Sequence, residues 1–262
     1  MVWILFVASS AVVVLAAIKL AEYSDVIAVR TGLGGMFVGT IFLAGATSLP
    51  ELTASISAFR TGALNLAAGN FFGSNMTNIA LLAIVDMTHR QTPLLRRVAI
   101  NHSLTAGLAT VLMLVAVIAM FADIDLAIGW VGVDSLLLIA LYFAGIWVVQ
   151  RENQATAGPS PIKMEPAEDF PSLRKGVIGF IIGGIVLLAA VPQLVSSSIG
   201  IAEITGLGTG FVGTALLSFV TSLPELVAAL AAVRLGAFDL AVGNLLGSNV
   251  FNMFAMGVSD FF

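Results

Sequence analysis

Long apolar stretches recur along the chain, and short polar or charged stretches separate them. Most apolar stretches reach about 20 residues, the length that a helix needs to cross the roughly 30 Å hydrocarbon core of a bilayer. The pattern therefore predicts eight membrane-spanning helices. They lie at about 2–20, 32–59, 62–85, 98–122, 127–149, 176–202, 206–233 and 236–259. The stretch 151–175, rich in proline and charge, predicts a solvated linker between two membrane halves.

The composition agrees with a membrane environment. Hydrophobic residues make up 59% of the 262 residues and charged residues only 10%, against roughly 25% in soluble proteins. Because so few charges cannot cover a water-facing surface, the sequence predicts an all-α polytopic membrane protein surrounded by lipid. The small net charge of −4 and the lack of a basic stripe argue against a nucleic-acid partner. The chain has no cysteine, which excludes disulfides, thiolate metal sites and thiol nucleophiles.

An internal repeat covers much of both halves. Residues 37–81 align with 211–255 at a constant offset of 174 without a gap, and 24 of the 45 aligned positions are identical. Polar residues are among the identical positions, which duplicated lipid-facing helices alone would not explain. Five predicted helices separate the starts of the two copies, so the second copy enters the membrane with opposite polarity. Such an inverted-topology repeat is typical of secondary transporters.

The repeat divides the chain into a first five-helix half at 1–150, the linker at 151–175 and a three-helix second half at 176–262. Residues equivalent to about 88–150 have no counterpart in the second half. We therefore expect a C-terminally truncated sequence that lacks the last two helices, 5 + 3 helices being present. A second half that is naturally shorter is the alternative.

Lysine and arginine fall unevenly on the two sides of the predicted bundle. Only Arg60 lies on the side of the N-terminus, whereas ten basic residues lie on the opposite side. They are Lys19, Arg30, Arg90, Arg96, Arg97, Arg151, Lys163, Arg174, Lys175 and Arg234. Because basic residues concentrate in cytoplasmic loops, we expect a cell (inner) membrane protein with an outside N-terminus and a cytoplasmic linker.

Two acidic residues, Glu51 and Glu225, lie in the middle of apolar spans. A carboxylate at this depth costs roughly 3 kcal/mol or more unless it is paired. Neither glutamate has a basic residue in its own span, so the natural partner is a bound cation or a proton. The alternative is a protonated structural glutamate that is hydrogen-bonded to a neighbouring helix.

The same short motif surrounds each glutamate, as GATSLPEL at 45–52 and as FVTSLPEL at 219–226. In the first copy, Thr47 lies four residues and Ser48 three residues before Glu51, so the three side chains share one helical face. The second copy offers the same set, which is Thr221, Ser222 and Glu225.

A proline directly precedes each glutamate. Pro50 and Pro224 lack an N–H and cannot bond the carbonyl four residues earlier. We expect each local break to loosen neighbouring carbonyls too, at Ala44 and Ser218. Freed backbone is tolerated at membrane depth only where it lines a protein cavity, so these carbonyls are candidate ligands.

The second repeated motif is GNFFGSNMTN at 69–78, with GNLLGSNVFN as its copy at 243–252. Its GxxxG spacing allows two helices to approach closely. Its candidate oxygen ligands are Ser74 and Asn78 in the first copy and Ser248 and Asn252 in the second. The two members of each pair are spaced i,i+4 and share one helical face. The other asparagines are open to either a structural or a ligand-adjacent role: Asn70, Asn75, Asn244 and Asn249.

These segments together predict an oxygen cage for a hard cation. Ca²⁺ takes six to eight oxygens, of which two bidentate glutamates supply four and two carbonyls supply two more. The two carboxylates also neutralise one Ca²⁺, and the hydroxyls and amides suit Na⁺. His89 and His102 fall near loops, which disfavours zinc and copper. We expect Ca²⁺ and Na⁺ as transported ions and no permanently bound cofactor.

The paired TSLPEL and GN..GSN segments in inverted halves resemble the alpha repeats of the sodium/calcium exchanger family, in the cation/calcium exchanger superfamily. The resemblance implies ten helices in two inverted groups of five, whose first and sixth helices slide to alternate access. It implies a site formed by Thr47, Ser48, Glu51, Ser74, Asn78, Thr221, Ser222, Glu225, Ser248 and Asn252, with carbonyl ligands at Ala44 and Ser218. Asn252 departs from the aspartate that prokaryotic relatives often carry, which leaves the sodium stoichiometry open.

The favoured function is a secondary active antiporter that exchanges Ca²⁺ for Na⁺ by alternating access. A Ca²⁺/H⁺ antiporter is the alternative, because two protons neutralise the two glutamates equally well, and an inactive truncated fragment is another. The sequence lacks the NPA signature of aquaporin-like pores, and it lacks the HExxH and GxSxG motifs that would indicate an enzyme. Inorganic cations are the expected partners, and no obligatory protein partner is evident.

Overall fold

The computed structural model describes residues 1–31, 43–88, 94–122, 126–156, 171–234 and 236–262. The helices are α1 (Val2–Thr31), α2 (helical at 43–47), α3 (Leu49–Arg60), α4 (Leu64–Thr88), α5 (Leu94–Ala122), α6 (Val133–Thr156), α7 (Leu173–Thr205), α8 (Thr209–Thr221), α9 (Leu223–Arg234) and α10 (Phe238–Ser259). Two short strands, β1 (Ala127–Ile128) and β2 (Val131–Gly132), form an antiparallel hairpin between α5 and α6.

The sequence repeat is also a structural repeat. Helices α3 and α9 have equal lengths of 12 residues and begin 174 positions apart, at Leu49 and Leu223. Helices α4 and α10 likewise begin 174 positions apart, at Leu64 and Phe238. Each copy therefore consists of a broken helix, α2–α3 or α8–α9, followed by one long helix that carries the asparagine motif.

The packing of α1 against α7 demonstrates the opposite polarity of the two halves. A Cβ atom added to Gly176, near the start of α7, would lie 2.8 Å from Val26, near the end of α1. A Cβ atom added to Gly200, near the end of α7, would lie 3.2 Å from Val2, at the start of α1. Because the equivalent first helices run antiparallel, the predicted inverted-topology repeat is confirmed.

The two halves also interlock at the far end of the bundle. Helices α5 and α6 belong to the first half but pack extensively against α10 of the second half. An apolar cluster that includes Phe71, Leu112, Leu138 and Met253 fills this contact. The helices that carry the two asparagine motifs, α4 and α10, are thereby held close together in the core of the molecule.

Four helices within the described part of the chain are long and apolar enough to cross a membrane: α1, the 102–122 part of α5, α6 up to Glu152, and α7. The bent pair α8–α9, which turns by 41° at its break, counts as a fifth span if it is taken as one. Helices α4 and α10, of 25 and 22 residues, carry buried serines and asparagines between these spans. The chain is thus an all-α polytopic membrane protein, and its described residues form five helical units in the first half and three in the second.

Two predicted boundaries are wrong. Helix α1 continues past the predicted end at about 20 to Thr31, and Lys19 within it is exposed and paired with Glu22 at 2.6 Å. The span predicted at 127–149 begins only at Val133, because the hairpin precedes it and turns at Gly129 with φ +70°. Most of the predicted linker lies outside the described residues.

A close contact between α4 and α8 gives a stability test. A Cβ atom added to Gly73 would lie 2.5 Å from the carbonyl oxygen of Thr214 and 2.6 Å from the Ser218 hydroxyl. We expect Gly73→Ala to destabilise the fold by about 2 kcal/mol, because α8 must move away. Gly107→Ala in α5 is the matched control, since its added Cβ meets no atom within 4 Å. Thermal unfolding in detergent measures both, and equal melting temperatures for the two variants would contradict this packing.

Candidate cation-binding site

Both intramembrane glutamates follow a break in a helix. Ser48 interrupts the path from α2 to α3 and Ser222 interrupts the path from α8 to α9, because the proline two residues later cannot continue the hydrogen-bond ladder. Glu51 and Glu225 therefore lie in the first turns of α3 and α9. The partial positive charge of a helix N-terminus favours a carboxylate at this position. Both glutamate side chains are fully buried.

The carboxylate of Glu51 is bound by one hydroxyl from each half of the molecule. Its Oε1 atom accepts hydrogen bonds from Ser222 in the opposite half at 3.1 Å and from Ser74 in its own half at 3.2 Å. The sequence predicted both serines as site residues, and the fold brings both of them to the carboxylate. The contact with Ser222 joins the two repeats directly.

Glu225 has the symmetric set of partners. Its Oε1 atom accepts hydrogen bonds from Ser48 at 3.0 Å and from Ser248 at 3.4 Å. In both carboxylates the second oxygen, Oε2, is buried and has no hydrogen-bond partner among the described residues. Neither glutamate forms an ion pair with any basic residue in the described part of the chain. Each carboxylate thus accepts hydrogen bonds from two serine hydroxyls and keeps one oxygen available.

The two predicted threonines line the same site. Thr221 donates to the Asn70 amide oxygen at 3.1 Å, and its hydroxyl lies 3.4 Å from the Ser74 hydroxyl. Thr47 is placed symmetrically, 3.5 Å from the Asn244 amide oxygen and 3.4 Å from the Ser248 hydroxyl. Both threonines are fully buried. Asn70 and Asn244, whose roles the sequence left open, therefore border the hydroxyl groups of the site.

The carbonyl groups of Ala44 and Ser218 are not loosened in the way that the prolines suggested. Each accepts the expected helical N–H, from Ser48 at 3.0 Å and from Ser222 at 2.9 Å. The hydroxyl of Thr47 also lies 3.1 Å from the Ala44 oxygen, and the second repeat has the same contact. The breaks lie one turn further along, so these carbonyls become open to an ion only if the threonine hydroxyl turns away.

Asn78 and Asn252 form no hydrogen bond with either glutamate. They belong to a cluster of four asparagines where α4 crosses α10, in which Asn78 donates to Asn249 at 3.0 Å and Asn252 donates to Asn75 at 3.0 Å. The amide oxygens of Asn78 and Asn252 are buried and unpartnered. We call these four residues the amide cluster. Like the second oxygens of the two carboxylates, these two amide oxygens are buried and have no hydrogen-bond partner among the described residues.

One residue next to the site was missed by the sequence analysis. Ser55 accepts a hydrogen bond from the Asn70 amide at 3.2 Å, and the same amide donates to the Glu51 carbonyl. The equivalent position in the second half is Ala229, and the Asn244 amide nitrogen has no partner. Ser55 lies four residues after Glu51 on the same helical face, so its spacing could have identified it.

This difference between the halves gives a second stability test. Ser55→Ala removes one acceptor from the buried Asn70 amide, and we expect a loss of about 1 kcal/mol in the free energy of unfolding. Ala229→Ser offers an acceptor to the unpartnered Asn244 amide and should preserve or raise the melting temperature. Thermal unfolding of the purified variants measures both. Destabilisation by Ala229→Ser together with neutrality of Ser55→Ala would contradict this arrangement.

Comparison with known proteins places the chain in a family. The family model described as sodium/calcium exchanger protein matches residues 1–150 and 175–262. The sodium/calcium exchanger MaX1 of Methanosarcina acetivorans is 26% identical over an alignment of 268 positions, and this alignment covers 91% of this chain and 77% of that relative.

Solved structures show the same fold. The H⁺/Ca²⁺ exchanger CAX matches with a TM-score of 0.75 at 16% identity, over 99% of this chain and 69% of that one. The sodium-calcium exchanger NCX_Mj matches with a TM-score of 0.58 at 24% identity, over 99% of this chain and 82% of that one. The family match covers both repeats, and the fold of this chain agrees with the folds of these two exchangers. The chain therefore belongs to the sodium/calcium exchanger protein family, whose members are multi-pass membrane antiporters of cations and not enzymes.

Proposed function

We propose that this protein exchanges Ca²⁺ for Na⁺ across the membrane by alternating access at Glu51 and Glu225. The observation that carries the proposal is the burial of two carboxylates that have no basic partner in the described part of the chain and one free oxygen each. A buried carboxylate without a counter-charge is strongly unfavourable. One Ca²⁺ supplies the two positive charges that balance the pair.

The surrounding groups supply the oxygens that Ca²⁺ prefers. Glu51 and Glu225 contribute up to four oxygens, and the hydroxyls beside them extend the set toward the six to eight that calcium takes. In the described part of the chain, no three histidine, cysteine or acidic residues come together to bind a metal. The donors beside the glutamates are oxygens, which suit Ca²⁺ and Na⁺ better than zinc.

Sodium is the favoured counter-ion because neutral oxygens surround the carboxylates. We assign Na⁺ binding to the hydroxyl and amide oxygens beside the two glutamates. They belong to Ser74, Asn78, Ser248 and Asn252. The other predicted ligands complete the cation site and are Thr47, Ser48, Thr221, Ser222 and the carbonyls of Ala44 and Ser218. Protons need no such oxygens, because they neutralise a carboxylate by forming a covalent bond. The relative MaX1, itself named a sodium/calcium exchanger, agrees with this choice.

The transition between the two sides follows from electrostatics. An occluded empty site would bury two unbalanced carboxylates, so the empty protein is held back from switching. Ca²⁺, or several Na⁺, removes this cost and allows the site to change sides. Helices α1 and α7 are the moving parts in this proposal, because they pack mainly against each other along small residues such as Gly176 and Gly183.

A charge-removing substitution tests the site. Glu51→Gln and Glu225→Gln preserve the shape of the side chain but leave a bound Ca²⁺ under-neutralised by one unit. We expect Ca²⁺ uptake into proteoliposomes to fall at least about a hundredfold in either variant, as for the loss of a buried charged partner. Thr53→Ala, a hydroxyl variant on the same helix whose side chain bonds only to its own backbone, is the control. Uptake that survives in both glutamine variants would contradict the site.

The serines test which ion drives exchange. Ser74→Ala and Ser248→Ala keep both carboxylates and delete only hydroxyl groups. We expect both to weaken the dependence of Ca²⁺ flux on a sodium gradient more than they weaken Ca²⁺ affinity. The measurement imposes a sodium gradient and a pH gradient separately on proteoliposomes. Strong uptake driven by the pH gradient in sodium-free buffer, unchanged by adding sodium, would overturn the sodium assignment in favour of protons.

We also propose an outside N-terminus and a cytoplasmic linker at 151–175, which joins the halves 1–150 and 176–262 in the inner membrane. Cysteine can be introduced singly because the chain has none. Trp130→Cys at the exposed hairpin turn should react with an impermeant thiol reagent in intact cells, whereas Leu173→Cys at the start of α7 should react only after lysis. The reverse labelling pattern would overturn the orientation.

A further inference from the structure

We propose that Asn249 and Asn75 are positioning residues, which turn the amide oxygens of Asn78 and Asn252 toward the transported ion. The inference rests on the proposed function and assigns a role to two residues that do not themselves bind the ion. It follows from the pairing inside the amide cluster, where every side chain is at most 1% exposed.

The pairing fixes which end of each ligand amide is free. Asn78 donates its amide nitrogen to the Asn249 oxygen, and Asn252 donates its amide nitrogen to the Asn75 oxygen, both at 3.0 Å. An amide group has one nitrogen end and one oxygen end, so engaging the nitrogen leaves the oxygen for another partner. Those two oxygens are buried and unpartnered. A reversed amide would point N–H groups at the cation and repel it.

One of the two pairs is anchored more firmly than the other. The Asn249 amide nitrogen lies 3.5 Å from the backbone carbonyl oxygen of Asn75, a long contact that favours the present orientation of Asn249 and, through it, that of Asn78. The Asn75 amide nitrogen has no partner in the structure. The Asn75 amide can therefore exchange the places of its nitrogen and oxygen and donate to the Asn252 amide oxygen. The Asn252 amide would then be reversed, with its nitrogen in the place of its oxygen. The Asn78 amide is therefore held with its oxygen toward the proposed ion. Asn252 is oriented by Asn75, whose own amide can turn over.

Each ligand asparagine is thus oriented by an asparagine of the opposite repeat. In the first pair the ligand Asn78 lies on α4 and its partner Asn249 on α10, whereas in the second pair the ligand Asn252 lies on α10 and its partner Asn75 on α4. The two contacts therefore link the geometry of the ion site to the crossing of these helices. Groups that orient a ligand from behind commonly change metal affinity by about ten- to a hundredfold when they are removed.

A double-mutant cycle separates positioning from a general structural effect. Asn249→Leu should raise the half-saturating Na⁺ concentration for Ca²⁺ exchange about tenfold. In an Asn78→Ala background the ligand oxygen is already gone, so Asn249→Leu should add less than about twofold. The crossed pair, Asn249→Leu with Asn252→Ala, is the matched control, and its two effects should multiply.

The second half of the cluster provides an independent cycle. Asn75→Leu with Asn252→Ala should be coupled, and Asn75→Leu with Asn78→Ala should not. Because Asn75 is less firmly anchored, its single variant should have the smaller effect of the two. Asn249→Ala and Asn75→Ala repeat the cycles if a leucine variant does not fold, as judged by size-exclusion profile and melting temperature.

The outcomes distinguish this inference from the proposed function. If the unmodified protein shows no sodium dependence, the sodium assignment fails. The same double-mutant cycles are then measured as the half-saturating Ca²⁺ concentration in equilibrium ⁴⁵Ca²⁺ binding. Coupling within the partner pairs and multiplication in the crossed pairs supports the positioning role in either readout. Multiplication in all four pairs, or no effect of Asn249 and Asn75 variants on ion affinity, overturns it.

Discussion

Two carboxylates that have no basic partner among the described residues are fully buried in an apolar bundle, and they are the constraint on which this structure depends. Glu51 and Glu225 each lie in the first turn of a helix, accept hydrogen bonds from two serine hydroxyls and keep one free oxygen. The proline breaks place the glutamates at helix N-termini, where backbone dipoles favour negative charge. A cation or protons must balance the two buried charges, and the proposed function assigns this role to Ca²⁺ and Na⁺.

The inverted repeat makes this arrangement possible, because it brings two copies of one motif face to face. Serines from opposite halves reach across to each glutamate, and asparagines from opposite halves pair in the amide cluster. The symmetry is nevertheless incomplete. Ser55 supports the Asn70 amide, whereas Ala229 leaves the Asn244 amide without a partner. The two halves of the site are therefore equal in charge but not in hydrogen bonding.

Much of the fold and of the candidate site followed from the sequence, because both depend on local spacing and on a long gap-free repeat. The inverted topology and the convergence of serines on Glu51 and Glu225 could be predicted in this way. The pairing of Asn78 with Asn249 could not, since it depends on how two helices cross. The continuation of α1 past Lys19 was missed because a charged residue that pairs with Glu22 can remain helical. The hydrogen bond that Ala44 keeps could not be predicted, because proline spacing alone does not locate the break to within one turn.

The central claim is that the two glutamates form one cation site that Ca²⁺ and Na⁺ occupy in turn. Equilibrium binding of ⁴⁵Ca²⁺ to the purified protein, with sodium raised against choline at constant ionic strength, tests it most directly. The account predicts that Ca²⁺ binds at one site per chain and is displaced by sodium but not by choline. It also predicts that binding is lost when Glu51 and Glu225 are both changed to glutamine. Calcium binding that is indifferent to sodium, or that persists in the double variant, would contradict the account.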